Sequence, residues 1–133
     1  MNITLIGGLP FVSVDLVYRG RQLTIGNILL DTGSGGTIFQ VDTVSSINLS
    51  PEPDDTIHCI RGVGGVEYVF EKKIDLLRVG DRSVKDFPIE LGRFDYGHHI
   101  NGILGADFLI ETDAIIDFGA RRLDFPVRSR TKP

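Results

Sequence analysis

The chain is most constrained at residues 29 to 39, where Leu29 and Leu30 run into Asp31-Thr32-Gly33-Ser34-Gly35-Gly36-Thr37 before the apolar pattern resumes at Ile38 and Phe39. This is the pattern of a buried strand that delivers one carboxylate into a glycine-rich turn. A carboxylate at the end of a buried strand is costly unless it is hydrogen-bonded or put to chemical use. Gly33, Gly35 and Gly36 permit positive φ and close backbone approach, while Thr32, Ser34 and Thr37 offer short hydroxyls to the carboxylate or to the turn itself. Taken alone, the run fits a tight structural turn as well as a built site.

The rest of the chain alternates with a period of two. Phe11, Val12, Val14, Leu16 and Tyr18 lead into a turn at Arg19-Gly20-Arg21, and Leu23 to Leu30 returns as a strand, so this hairpin ends at Asp31. Val41 to Leu49 is a short segment with Asp42 as a helix cap, and Pro51 to Asp55 reads as a solvated loop. Thr56 to Arg61 and Val66 to Val79 form the arms of a long hairpin around Gly62 to Gly65. A turn at Gly80-Asp81, a strand from Ser83 to Leu91 and a polar loop from Gly92 to Asn101 follow. Helical character is confined to Gly105 to Glu111, with Asp107 in the first turn, where a negative charge suits the helix dipole.

Composition sets the outer bounds. At 133 residues and 41% apolar, the chain fits one domain, residues 1–133, with residues 126–133 as a basic tail. No apolar run approaches the roughly 20 residues of a membrane-spanning helix and no signal-peptide pattern begins the sequence, so the expected location is cytoplasmic, with no membrane partner. Cys59 is the only cysteine, which excludes an internal disulfide and reads as a plain strand residue. A net charge of -4 argues against nucleic acid as a partner. His98 and His99 lack the further Cys or His ligands of a metal centre, and no metal or cofactor is expected.

The Asp-Thr-Gly run resembles the active-site loop of the aspartic proteases, and the chain's size resembles their single-lobe, retroviral-type branch, the retropepsins. Ile60-Arg61-Gly62-Val63-Gly64-Gly65-Val66 resembles a retropepsin flap tip. Gly102-Ile103-Leu104-Gly105-Ala106-Asp107-Phe108-Leu109 is similar to the segment that passes behind the catalytic loop, and Thr112 to Phe125 resembles the closing hairpin of a pepsin half. These segments follow the family's order and span residues 10 to 126. The resemblance implies an all-β, retropepsin-like barrel with one short C-terminal helix, working as a homodimer on peptide or protein substrates.

The implied chemistry follows from having one such aspartate. Hydrolysis of a peptide by water needs one group to take a proton and another to polarise the carbonyl. Two carboxylates that share a proton do both, and a second copy of the chain supplies the second Asp31 at a two-fold axis. By resemblance, Asp31, Thr32 and Gly33 form the catalytic loop, with Thr32 bonding across the dimer. Ser34 donates to the carboxylate and shifts the working pH toward acid. Leu29, Ser34, Gly35, Gly62, Val63, Gly64 and Ile103 then contact an extended peptide that is apolar near the cut.

Departures from the family pattern accompany this. Gly35 and Gly36 stand where viral enzymes commonly carry acidic residues, and Ala106 where they carry the arginine that pairs with one of them. Both halves of an ion pair are thus absent together, which avoids stranding a buried charge. A hairpin with Asp117-Phe118-Gly119-Ala120-Arg121 as its turn follows the helix, where the viral type ends on a short strand. Other readings are a catalytically silent module of the same fold, which binds peptide or only dimerises, and a phosphate loop of the actin and sugar-kinase kind. The latter needs two lobes and a second phosphate loop, for which the chain is too short.

Overall fold

The computed structural model describes residues 1–62, 65–94 and 99–127, with side chains described throughout except at 60–62 and 65–67. Thr4–Ile6 (β1) lies antiparallel to Leu9–Tyr18 (β2), which turns at Arg19 and Gly20 into Arg21–Leu30 (β3). Beyond the glycine-rich loop come Ile38–Gln40 (β4) and a single helical turn, Val41–Val44 (α1), continued by a 3-10 turn at Ser45–Ile47. Ile57–Gly62 (β5), Gly65–Val79 (β6) and Arg82–Gly92 (β7) form a long meander. Gly102–Leu104 (β8), Ala106–Glu111 (α2), Ile115–Asp117 (β9) and Arg122–Asp124 (β10) complete the described chain.

The main sheet runs β1-β2-β3-β8-β4-β7-β6-β5, and a further pairing of β2 with β6 joins its two halves. That pairing, through Asp15↔Arg78, Leu16↔Leu77 and Val17↔Leu76, closes β2, β3, β8, β4, β7 and β6 into a ring. Alternation along the strands aims one set of side chains inward: Val14, Leu16, Ile25, Ile28, Phe39, Ile74, Leu77, Ile89, Leu91 and Leu104 are all buried. Phe108 of α2 seals one end, packed edge-on against Phe87 at 5.6 Å and Phe125 at 6.4 Å between ring centroids. The all-β, barrel-like expectation with a short helix near its end is therefore met, and α1 is an additional turn.

The hairpin strands read from the alternation are present, with ends shifted by a residue or two, while the tip of the 62–65 turn and the middle of the 92–101 loop lie outside the described residues. Asp42 is not a cap, however. Gln40 precedes the helix and is held extended by its pairing with Gly92, so α1 starts only after it; Asp42 falls inside the first turn and pairs with Arg93 at 2.9 Å. The segment Pro51 to Asp55 is also more than a solvated loop. Lys72, with a side chain 5% exposed, places its Nζ 2.5 Å from Glu52 Oε1 and 2.9 Å from Asp55 Oδ1, while Arg19 and the Tyr18 hydroxyl also reach Glu52. The Lys72 hydrogen bond holds the Glu52 carboxyl below its ordinary range. Burial opposes the Lys72 charge, yet its bonds to Glu52 and Asp55 outweigh that and raise its pKa.

At the far end, residues 1 to 3 run beside β10: the Leu123 N–H donates to Met1 O at 2.9 Å, the Ile3 N–H donates to Arg121 O at 2.8 Å, and Asn2 bridges to Arg122. The small sheet of β10 and β9 therefore ends at β9, whose outer edge has no strand partner among the described residues. Among those residues, no helix is long and apolar enough to cross a membrane.

Candidate active site

β3 reaches the loop through a bulge. Val12 pairs with Ile28 and Val14 with Ile25, so Gly26 and Asn27 oppose Ser13 alone, and Asn27 takes φ 53°. Asn101 fastens this bulge, its side-chain amide donating to Gly26 O at 2.9 Å and its N–H to Asn27 O at 3.0 Å. Past it, Ile28–Leu30 runs parallel to Gly102–Leu104, and the other side of β8 pairs with β4. β8 thus lies between the strand that enters the loop and the strand that leaves it. Residues 31 to 37 arch across its end.

The Asp31 N–H donates to Leu104 O at 3.1 Å, which fixes the start of the loop on β8. The Asp31 carboxylate accepts the Gly33 N–H at 2.9 Å, and its residue is partly exposed. Thr32, Gly33 and Gly35 are exposed, as a loop that presents its backbone outward requires. Ser34 does not donate to Asp31 as the resemblance implied. Its single hydroxyl proton goes to Gly36 O at 2.7 Å, which ties the loop to itself and leaves the carboxylate without that support.

The back of the loop is fastened far more heavily than its front. Thr37 is 1% exposed, and its hydroxyl donates to Asp107 Oδ1 at 2.8 Å while accepting the Gly105 N–H at 3.1 Å. Its own N–H reaches Asp107 Oδ2 at 3.3 Å, and its carbonyl accepts the Glu90 N–H at 2.9 Å. The Ala106 N–H donates to Ser34 O at 2.7 Å, so the first residue of α2 is bonded directly to the loop. Contact this close needs glycine at 105: a Cβ there would sit 2.2 Å from Gly36 O and 2.9 Å from Ser34 O.

Among the loop glycines, Gly33 and Gly36 serve close approach, whereas a Cβ at Gly35 would meet nothing within 4 Å. Gly33, Gly35 and Gly36 are not among the glycines at positive φ, contrary to the expectation from composition. A Cβ at Gly36 would meet Glu90 Oε1 at 2.6 Å. Glu90, on β7, is half-buried, and burial raises its carboxyl pKa, with Glu71 and Asp107 adding to the rise and His58 opposing it. Gly36, Thr37, Glu90 and Asp107 line a groove of about 300 Å³ together with His58, Glu71, Pro88 and Ile89.

Of the other residues singled out in the sequence, Leu29 is half-buried beside Ile103, its partner across β3 and β8, and Ile103 is 2% exposed within the single chain. Gly62 ends β5 and pairs with Gly65; Val63 and Gly64 lie outside the described residues. His98 likewise lies outside them. Cys59 is an exposed strand residue opposite Tyr68. Among the described residues, no group of His, Cys, Asp and Glu is arranged to hold a metal ion.

Sequence reading missed Asp107 as a brace. It sits in the first turn of α2 as expected, but its carboxylate is engaged by Thr37 and by the Phe108 N–H at 2.8 Å. The available signal was the pairing of a hydroxyl at the end of the glycine turn with an acid just after Leu-Gly, which becomes visible only when both segments are taken to touch. A model of the aspartyl protease family matches residues 14–108, from within β2 through the loop to Phe108 of α2. No curated protein matches the chain.

Proposed function

Because the chain belongs to the aspartyl protease family, we propose that it is an aspartic endopeptidase that works as a homodimer, with Asp31 and the Asp31 of a second copy as its catalytic dyad. The observation that carries this reading is the asymmetry of the loop: it is braced from behind by Thr37, Asp107 and Gly105, while its one outward carboxylate bonds only the Gly33 N–H among the described residues. Asp107, a candidate within the chain, has its oxygens engaged by Thr37 and Phe108, which disfavours it as an intrachain partner. A second copy restores the missing group. Two carboxylates about 3 Å apart cannot both ionise, so the pair holds one proton. The charged member takes a proton from a water poised between them, and the protonated member donates toward the carbonyl oxygen as the tetrahedral intermediate forms. The dyad titrates as a unit.

The free edge of β9 supports the second copy. Ile110, Ile115 and Phe118, at the end of α2 and along β9 and its turn, are 75%, 55% and 58% exposed, and an unpaired apolar edge is a template for another strand. Leu29, Ser34, Gly35, Gly62, Val63, Gly64 and Ile103 are proposed to contact an extended peptide, apolar at the cut, held through backbone bonds. The test combines cleavage of a mixed peptide library with sedimentation. Cleavage that tracks the dimer fraction and disappears with Asp31→Asn supports the reading; a protein that stays monomeric with substrate present overturns it.

A further inference from the structure

β7 and β6 place Glu90 directly opposite Glu71, so two carboxylates face each other across the ladder. Like charges in that position destabilise a sheet. Glu71 has an outlet, since His58 Nε2 lies 2.8 Å from its Oε2, and Asp107 is taken up by Thr37 and Phe108. Glu90 has none: its carboxylate accepts no hydrogen bond from a described residue. Its backbone is nevertheless bonded to the catalytic loop through Thr37 O, and the missing side chain at Gly36 makes room for its Oε1. The result is one unmatched carboxylate, half-buried, at the wall of a groove of about 300 Å³ that opens beside residues 36 and 37.

We infer that Glu90 is a specificity-determining residue that receives a cationic side chain, lysine or arginine, of the bound peptide, at a position outside the two residues that flank the cut. This rests on the peptidase reading for its substrate class. A cation there neutralises the charge that the fold leaves opposite Glu71, in a site partly withdrawn from water, where an ion pair is stronger than on the open surface. Pro88 and Ile89 supply apolar wall for the methylene stem. Burial raises the Glu90 carboxyl pKa, and Glu71 and Asp107 add to the rise against the opposing effect of His58.

The test uses the Asp31→Asn protein, which binds without cleaving, titrated calorimetrically with extended peptides in which lysine or norleucine is stepped along each flank of an apolar centre. At one register the lysine peptide binds about tenfold tighter than its norleucine twin, the size of one partly desolvated ion pair. Adding Glu90→Gln brings that ratio near one, and Glu90→Lys turns the preference toward a glutamate peptide. Glu90→Gln also holds or raises the thermal midpoint, because it removes a repulsion, whereas a purely structural carboxylate would lower it. Lysine favoured at no register, no detectable binding of any lysine peptide, or a preference that survives Glu90→Gln overturns the inference. Cleavage by the wild-type protein without any lysine preference removes the subsite and leaves the peptidase; a lysine preference lost with Glu90→Gln, in a protein that cleaves none of these peptides, keeps the subsite and removes the peptidase.

Discussion

Asp31 and Asp107 belong to the front and the back of the same glycine-rich loop, and the fold treats their carboxylates in opposite ways. Asp107 accepts from the Thr37 hydroxyl, the Thr37 N–H and the Phe108 N–H, so both its oxygens are engaged in holding α2 against the loop. Asp31 accepts the Gly33 N–H and keeps the rest of its capacity facing outward. The difference separates an acid that builds the site from the acid proposed to carry out the chemistry. It repeats further out: Glu52 and Asp55 are matched by Lys72, while Glu90 confronts Glu71 with no salt bridge or hydrogen bond to its carboxylate among the described residues.

If this division of labour is right, the front aspartate governs rate and the back governs stability. Asp31→Asn is expected to cut peptide cleavage by roughly 10³-fold, the scale of a lost general acid–base group, while shifting the denaturant midpoint little. Kinetics and urea unfolding on the same preparation would break the comparison if stability fell instead. Gly105→Ala probes the back: its Cβ would collide with Gly36 O, forcing the loop and α2 apart at about 3 kcal/mol by urea unfolding. Thr37→Val keeps the shape but strands the Gly105 N–H and part of Asp107, and is expected to destabilise by about 2 kcal/mol in the same assay. Asp107→Asn, which keeps one acceptor oxygen, should destabilise by about 1 kcal/mol and change cleavage far less than Asp31→Asn.

The smallest effects are in the pH dependence, and they have opposite signs in the outer pair. Glu52 has its carboxyl pKa lowered by Lys72, so its contribution is complete above the unfolded value of about 4.5 and is lost as pH falls through the lower folded value. Lys72→Met should therefore flatten the acid limb of thermal stability. Glu90 has a raised pKa, so its ionised form works against the fold at neutral pH and is relieved as pH falls through that raised value. The gain in midpoint from Glu90→Gln should then be present at pH 7 and vanish below the ordinary carboxylate range. A gain that persists in acid would show that charge is not its cause.

Much of this architecture was legible from residue order. Period-two alternation located β2, β3, β6 and β7, because each strand has one face in the barrel interior and one toward solvent. The turn at Arg19-Gly20 and the helix after Gly105 carried their own local signals. The run after Leu30 marked Asp31 as the residue to explain. What escaped notice involved partners far apart in the chain: Lys72 with Glu52 and Asp55, Thr37 with Asp107, and Glu71 with Glu90. Ser34 was misjudged for a related reason, since its hydroxyl had several acceptors within reach and took Gly36 O.

The sequence by itself determined where strands begin and turn, and that a single carboxylate would stand at the mouth of a glycine loop, because these depend on neighbours only a few residues away. Only the tertiary structure decided which acids are neutralised and which stay free. A carboxylate's state is set by the groups within a few ångströms of it, and in a closed barrel those groups come from strands that register, not sequence order, brings side by side.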